Sequence, residues 1–139
     1  MVDEKTTRFG VSISSRLLKR FDELVAEKKY GNRSEAIRDL IRQFIVEEEW
    51  NSDEETIGTV TLVYNHHVSD LSEELNSIQH DMVDSIISNL HVHLNHDMCL
   101  EVIVVRGNSS RIRKLADRLI GTKGVVHGKL TAATVGRSF

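Results

Sequence analysis

The chain has 139 residues, 40% of them hydrophobic and 28% charged, with one cysteine and no proline. Such a length allows one ordinary domain or two small ones. No apolar run nears the roughly 20 residues of a membrane-spanning helix, no apolar stretch follows the start as in a secretory signal, and a lone cysteine cannot form an internal disulfide, so a soluble cytoplasmic protein is expected.

The net charge of −3 hides an asymmetry. Residues 5–46 hold ten Lys/Arg against five Asp/Glu, and from residue 47 onward there are eight against fourteen. A basic first third suits a polyanion, and the contrast points to two units with different partners.

Residues 8–14 alternate, with Phe9, Val11 and Ile13 on one face and Arg8, Gly10, Ser12 and Ser14 on the other. This pattern predicts a short half-buried strand. Ser14 or Ser15 then N-caps a helix whose apolar positions are Leu17, Leu18, Phe21, Leu24 and Val25. Lys28-Lys29-Tyr30-Gly31 closes it with basic residues and a glycine. Asn32-Arg33-Ser34-Glu35 has capping-box spacing. The second helix carries Ala36, Ile37, Leu40, Ile41, Phe44 and Ile45 on one stripe and runs into Glu47-Glu48-Glu49-Trp50.

A strand and two helices in about 45 residues are too few to bury a core alone, and a single strand has two unpaired edges. The simplest partner is a second copy, giving a two-stranded antiparallel ribbon. Such a ribbon fits the DNA major groove. Arg8, Gly10 and Ser12 would then face base edges, Arg8 in a bidentate contact to guanine, Ser12 on a base or phosphate, and Gly10 allowing close approach. The start of the second helix, at Asn32, Arg33 and Ser34, would hold a phosphate on free N–H groups. Pairing of this strand within its own fold is the bland alternative, and the residues alone leave it open.

Residues 47–56 contain six acidic side chains and read as a helix end leading into a solvated linker. A strand over 58–64 follows, then a helix over 69–90 with Leu71, Leu75, Ile78, Met82, Ile86 and Leu90 on its apolar face. Next come a strand over 91–94, a turn, a strand over 99–105, a helix over 110–120 and a strand over 125–134. The order βαββαβ is the ferredoxin-like arrangement, so the fold class is α+β. The expected division is an N-terminal domain over 1–50, a linker over 51–57 and a ferredoxin-like domain over 58–139. Helices on one face of such a sheet leave the other free for association between subunits.

The most chemically loaded stretch is Leu90-His91-Val92-His93-Leu94-Asn95-His96-Asp97-Met98-Cys99-Leu100. It holds the only cysteine and three of the seven histidines. Strand alternation puts His91 and His93 on one face, and Cys99 joins them only if the hairpin pairs it with His93, because one step of register flips the face. His80 lies on the predicted long helix, most of three turns, or roughly 16 Å, from the end that leads into His91. On that geometry it would serve a neighbouring subunit's site. Three imidazoles and a thiolate suit Ni(II), Cu(II) or Zn(II), and sequence leaves the choice open. His66, His67, His96 and His127 are weaker candidates, more simply surface histidines. Glu35 and Asp39, four apart on the second helix, could share a cation, although Arg38 and Arg42 nearby favour a surface ion-pair network.

With these residues assembled, the chain resembles the nickel-responsive transcriptional regulators, the NikR family. The resemblance rests on Tyr30-Gly31-Asn32-Arg33-Ser34-Glu35-Ala36-Ile37-Arg38-Asp39, on Gln79-His80, on the stretch from Leu90 through Glu101, and on Gly124-Val125-Val126-His127-Gly128. It implies a ribbon-helix-helix domain before a ferredoxin-like (ACT-like) domain, in a homotetramer built as a dimer of dimers. It implies one Ni(II) per subunit, square-planar, held by His91, His93 and Cys99 of one chain and His80 of another. It further implies nickel-dependent repression of nickel uptake genes through a palindromic operator, and a secondary cation at Glu35 and Asp39. Some members carry a hydroxyl residue at the place of Gly10, so base readout differs there.

Two readings from other classes compete: a metal-storage or metal-delivery protein whose N-terminal segment only dimerises, and a zinc enzyme. Four protein ligands leave no open position for water, which argues against an enzyme.

Overall fold

A computed structural model describes residues 5–139; the first four residues of the predicted 1–50 domain lie outside it. The chain forms two compact units, one through Ile41 and one from Arg42 to Phe139.

In the first unit, residues 5–14 are exposed and carry no regular secondary structure. The strand expected over 8–14 is not formed within a single chain, because nothing there offers it a hydrogen-bonded edge. Ser14 does cap helix α1, Ser15–Glu27, its side chain accepting from the Leu17 N–H. Helix α2, Arg33–Asn51, begins with Asn32 accepting from the Glu35 N–H at 2.9 Å. Val25 on α1 and Ala36 on α2 are buried. Phe9, Val11, Ile13, Leu17 and Leu40 remain exposed.

The second unit opens with the end of α2. Trp50 is buried, and its indole N–H donates to the Ala133 carbonyl at 2.9 Å. A Cβ on Gly58 would stand 3.2 Å from the Trp50 ring and 2.8 Å from the Thr131 carbonyl, so only glycine lets the indole lie against the sheet here. The stretch 47–56 is therefore not a solvated linker. Helix continues to Asn51 and a strand starts at Glu55.

Strands β1 (Glu55–Asn65), β2 (Ile86–His93), β3 (Met98–Asn108) and β4 (Val125–Ala132) form an antiparallel sheet in the order β2-β3-β1-β4. Helices α3 (Leu71–Asp81) and α4 (Ser109–Ile120) supply the intervening connections, which completes the ferredoxin-like order. β1 alternates strictly, with Thr56, Gly58, Val60, Leu62 and Tyr64 inward. Val60, Leu62 and Tyr64 share a core with Leu71, Leu75, Ile78, Ile103, Val105, Ile112, Leu115 and Leu119.

The predicted helix over 69–90 is shorter than expected. α3 stops at Asp81, a 3₁₀ turn spans Val83–Ser85, and β2 begins at Ile86. Met82, Ile86 and Leu90 satisfy helical spacing, but Val83, Ile86 and Ile87 are β-branched, and the shift of register between Ile86 and Ser88 turns Ile86 toward the core and Leu90 to the other face. Ser85 is pinned where the helix would have continued, its hydroxyl accepting from Arg111 Nε at 2.7 Å. No helix among the described residues is long and apolar enough to cross a membrane.

Candidate metal centre and nucleic-acid interface

Register decides which side chains of the β2–β3 hairpin meet. The pairs His91 with Glu101 and His93 with Cys99 sit directly across from each other, as the His91/His93/Cys99 reading required. Paired residues point to the same side of a sheet, so both imidazoles share the helix-covered face with Cys99 and Glu101, which are 2% and 1% exposed.

Each nitrogen of the His91 imidazole has a polar neighbour. Nδ1 lies 3.8 Å from Cys99 Sγ, and Nε2 lies 3.5 Å from Glu101 Oε1. Glu101 is in turn held by three donors: the Tyr64 hydroxyl at 2.8 Å, Gln79 Nε2 at 2.9 Å and Asn89 Nδ2 at 2.9 Å. Burial first, and the bond to Glu101 second, push the Tyr64 phenol far above its ordinary range, so it stays a donor. A carboxylate on Nε2 favours the tautomer with the proton there and leaves the Nδ1 lone pair toward sulfur.

Two ligands of one ion at about 2.0–2.3 Å bonds stand about 3–3.5 Å apart. The Nδ1–Sγ separation therefore needs only a few tenths of an ångström of closure, and the donor set fits a borderline-soft transition metal. Sequence reasoning assigned no role to Glu101, Gln79, Asn89 or Tyr64. The signal available was a carboxylate at an inward position of β3, between Cys99 and Ile103.

His80 is the penultimate residue of α3 and exposed. With the helix ending at Asp81, it does not lie three turns from a helix end, and the 16 Å argument for donation to a neighbour falls. His93 turns its ring edge-on to His66, with centroids 5.5 Å apart. Among the described residues, no three of His80, His91, His93 and Cys99 bring donor atoms within 4.8 Å of one another in one chain.

In the first unit, Arg8, Gly10 and Ser12 are exposed on the segment before α1. Arg33 is not a free guanidinium. It makes a bidentate pair with Asp22, Nε and a terminal nitrogen each at 2.8 Å from carboxylate oxygens, and this holds the Asp22 carboxyl below its usual range. Any phosphate contact at this helix start thus falls to the backbone N–H groups of Arg33 and Ser34, with Asn32 already spent on the cap. Glu35 pairs with Arg38, and Asp39 accepts from the Tyr30 hydroxyl.

A two-helix unit with an unpaired apolar arm, joined to a ferredoxin-like unit carrying a His/Cys hairpin, defines a class of two-unit proteins with a metal-type donor set. The comparisons are specific. Residues 57–133 match the family model described as the NikR C terminal nickel binding domain, and residues 7–48 match that of the ribbon-helix-helix protein, copG family. The chain is 56% identical to a protein of Thermococcus onnurineus, over 96% of this chain and 97% of that protein. It is 60% identical to one of Geobacter sulfurreducens, over 95% of this chain and 96% of the other. Both relatives are named, provisionally, nickel-responsive regulators. The uncharacterized protein TM1266 from Thermotoga maritima shares the fold over 58% of this chain and all of its own, with a TM-score of 0.53 at 17% identity. The chain belongs to the nickel-responsive regulator (NikR) family.

Proposed function

We propose that this chain is a non-enzymatic transcriptional regulator that binds a palindromic operator when Ni(II) occupies a site shared between subunits, and so represses nickel uptake genes. The observation that carries the reading is the hairpin register, which lines up His91, His93 and Cys99 on one face with His91 oriented by buried Glu101. His80, His91, His93 and Cys99 would hold one Ni(II) per subunit. The ion would supply a cross-link between elements that otherwise only pack. Donation of His80 by a second chain rests on the family likeness, and on the failure of the four donors to converge within one chain.

The functional division we propose is a ribbon-helix-helix domain over 1–50, a connection over 51–57 that takes in the first residues of β1, and a metal-binding, tetramer-forming domain over 58–139. Arg8, Gly10 and Ser12 read bases from a ribbon formed with a second copy, and Asn32, Arg33 and Ser34 present the helix start to a phosphate. Glu35 and Asp39 are the place for a secondary cation, which would have to displace Arg38 and Tyr30 from the two carboxylates. Fixing α3 of one chain against the hairpin of another favours one arrangement of the two ribbon dimers over the rest. DNA affinity then follows the population of that arrangement.

The test is a gel shift with the full chain and a DNA fragment recovered from a random pool by selection. Nickel should tighten binding, and Cys99→Ala should remove both the effect and the thiolate charge-transfer absorption of the nickel-loaded protein. DNA affinity indifferent to nickel would sink the regulator; an absorption band surviving in Cys99→Ala would sink the ligand assignment.

A further inference from the structure

Of the six arginines in the second unit, four have partners: Arg106 and Arg137 pair with Glu55, Arg118 pairs with Asp81, and Arg111 donates to the Ser85 hydroxyl. Arg42 and Arg113 have no carboxylate partner among the described residues. Both line one groove of about 600 Å³ between the end of α2, α4 and β4, wholly within the second unit. We propose that this groove binds a small amphipathic carboxylate, the two guanidiniums taking the carboxylate and an apolar floor taking the rest of the molecule.

The floor follows from the elements that meet here. Arg42, Val46 and Trp50 stand four apart and share one stripe of α2. Leu130 and Ala132 are alternate residues of β4, paired with the inward Val60 and Gly58. Trp50 spends its N–H on the Ala133 carbonyl, so its ring adds apolar surface and no donor. The Arg113 guanidinium lies over that ring, 5.4 Å from its centroid. A guanidinium placed over an aromatic face keeps its in-plane N–H donors free, and these form the fork from which a carboxylate accepts.

Charge and size set the class of ligand. Glu47 lies on the same rim, so the lining sets two guanidiniums against one carboxylate, which favours a singly charged anion over a polyanion. Concave sites of roughly 300–1,000 Å³ are the usual size for small-molecule ligands. The DNA phosphate proposed above meets the start of α2, whereas the groove lies along its last turns, so the DNA backbone is not the occupant.

Trp50 is the chain's single tryptophan, so indole emission reports on this groove alone. The full chain, free of metal and DNA and at constant ionic strength, is titrated with cyclohexanecarboxylate and with cyclohexanecarboxamide, its neutral isostere. The carboxylate should change the emission saturably, and the amide should bind at least about tenfold more weakly, the usual scale for losing hydrogen bonds to a charged group. Arg42→Gln and Arg113→Gln should each raise the carboxylate midpoint by about tenfold or more, with calorimetry giving the midpoint where Arg113 no longer covers the ring. Lys114→Gln, on α4 but outside the groove, should leave it within a factor of about two. No saturable response to the carboxylate, as when a second copy of the chain fills the groove, overturns the site. Equal midpoints for acid and amide overturn it as well, and so does an equal loss in Lys114→Gln. All three substituted positions are exposed, so the variants keep their core. With neither nickel nor DNA present, this outcome is separate from that of the gel shift.

Discussion

At the scale of single residues, Glu101 decides how the candidate centre is presented. A carboxylate 1% exposed is tolerable only when its oxygens are occupied, and Tyr64, Gln79 and Asn89 occupy them while His91 Nε2 stands 3.5 Å away. Glu101→Gln keeps the volume but replaces an all-acceptor group by one that is half donor, so it loses its hold on the imidazole proton. Nickel affinity, measured by competition with a chelator, should fall by about 10- to 100-fold, the usual cost of removing the group that orients a ligating histidine. An affinity within about twofold of the parent's would show that His91 needs no brace. The candidate ligands on the hairpin could be picked from the sequence because His-x-His alternation is a local pattern. Glu101 could not, because its role depends on what stands across the strand from it and on which residue of α3 lies above.

At the scale of elements, local signals located most of the sheet and misplaced one boundary. β3 and β4 declare themselves through β-branched runs, and α4 through Ile112, Leu115 and Leu119 at helical spacing. The end of α3 carried no glycine or proline to mark it, and Met82, Ile86 and Leu90 continue the helical spacing past it. Tertiary pairing settled the matter, β2 being held against β3 with a register shift between Ile86 and Ser88. The acidic stretch at the end of α2 was misjudged for the opposite reason: Trp50 is buried against the sheet, Glu49 is buried and accepts from Thr134 Oγ1, and Asp53 accepts from the Ser110 N–H, so charges that read as solvated are docked. Trp50→Ala should lower unfolding stability by about 3–5 kcal/mol, read from urea denaturation of the second unit's signal. Trp50→Phe should cost less, because the Ala133 carbonyl still accepts from Thr56 Oγ1 at 2.9 Å. A Trp50→Ala loss under about 1 kcal/mol would mean that the end of α2 is not docked by this ring.

At the scale of the whole molecule, each unit leaves an apolar surface uncovered, and the two surfaces are chemically independent. In the first unit Phe9 is 66%, Val11 64% and Ile13 44% exposed, the row that should have been the inner face of a strand. In the second, the helices cover one face of the sheet, while Leu90, Val92, Leu100, Val102 and Val104 lie on the other; Leu90 and Val92 are 60% and 41% exposed. Contiguous apolar patches of this kind mark association surfaces, and the tetramer proposed above would use the two patches of each chain in two kinds of contact. Sedimentation separates them. Ile13→Asp should break the ribbon contact, leave a dimer joined through the sheet face, and abolish DNA binding. Val102→Asp, at the middle of that face between Thr61 and Leu90, should leave a dimer joined through the ribbon that still binds a single half-site. The double variant should sediment as a monomer with an intact second unit, because neither side chain belongs to the buried core. If Val102→Asp left a tetramer, the open sheet face would not be the second contact.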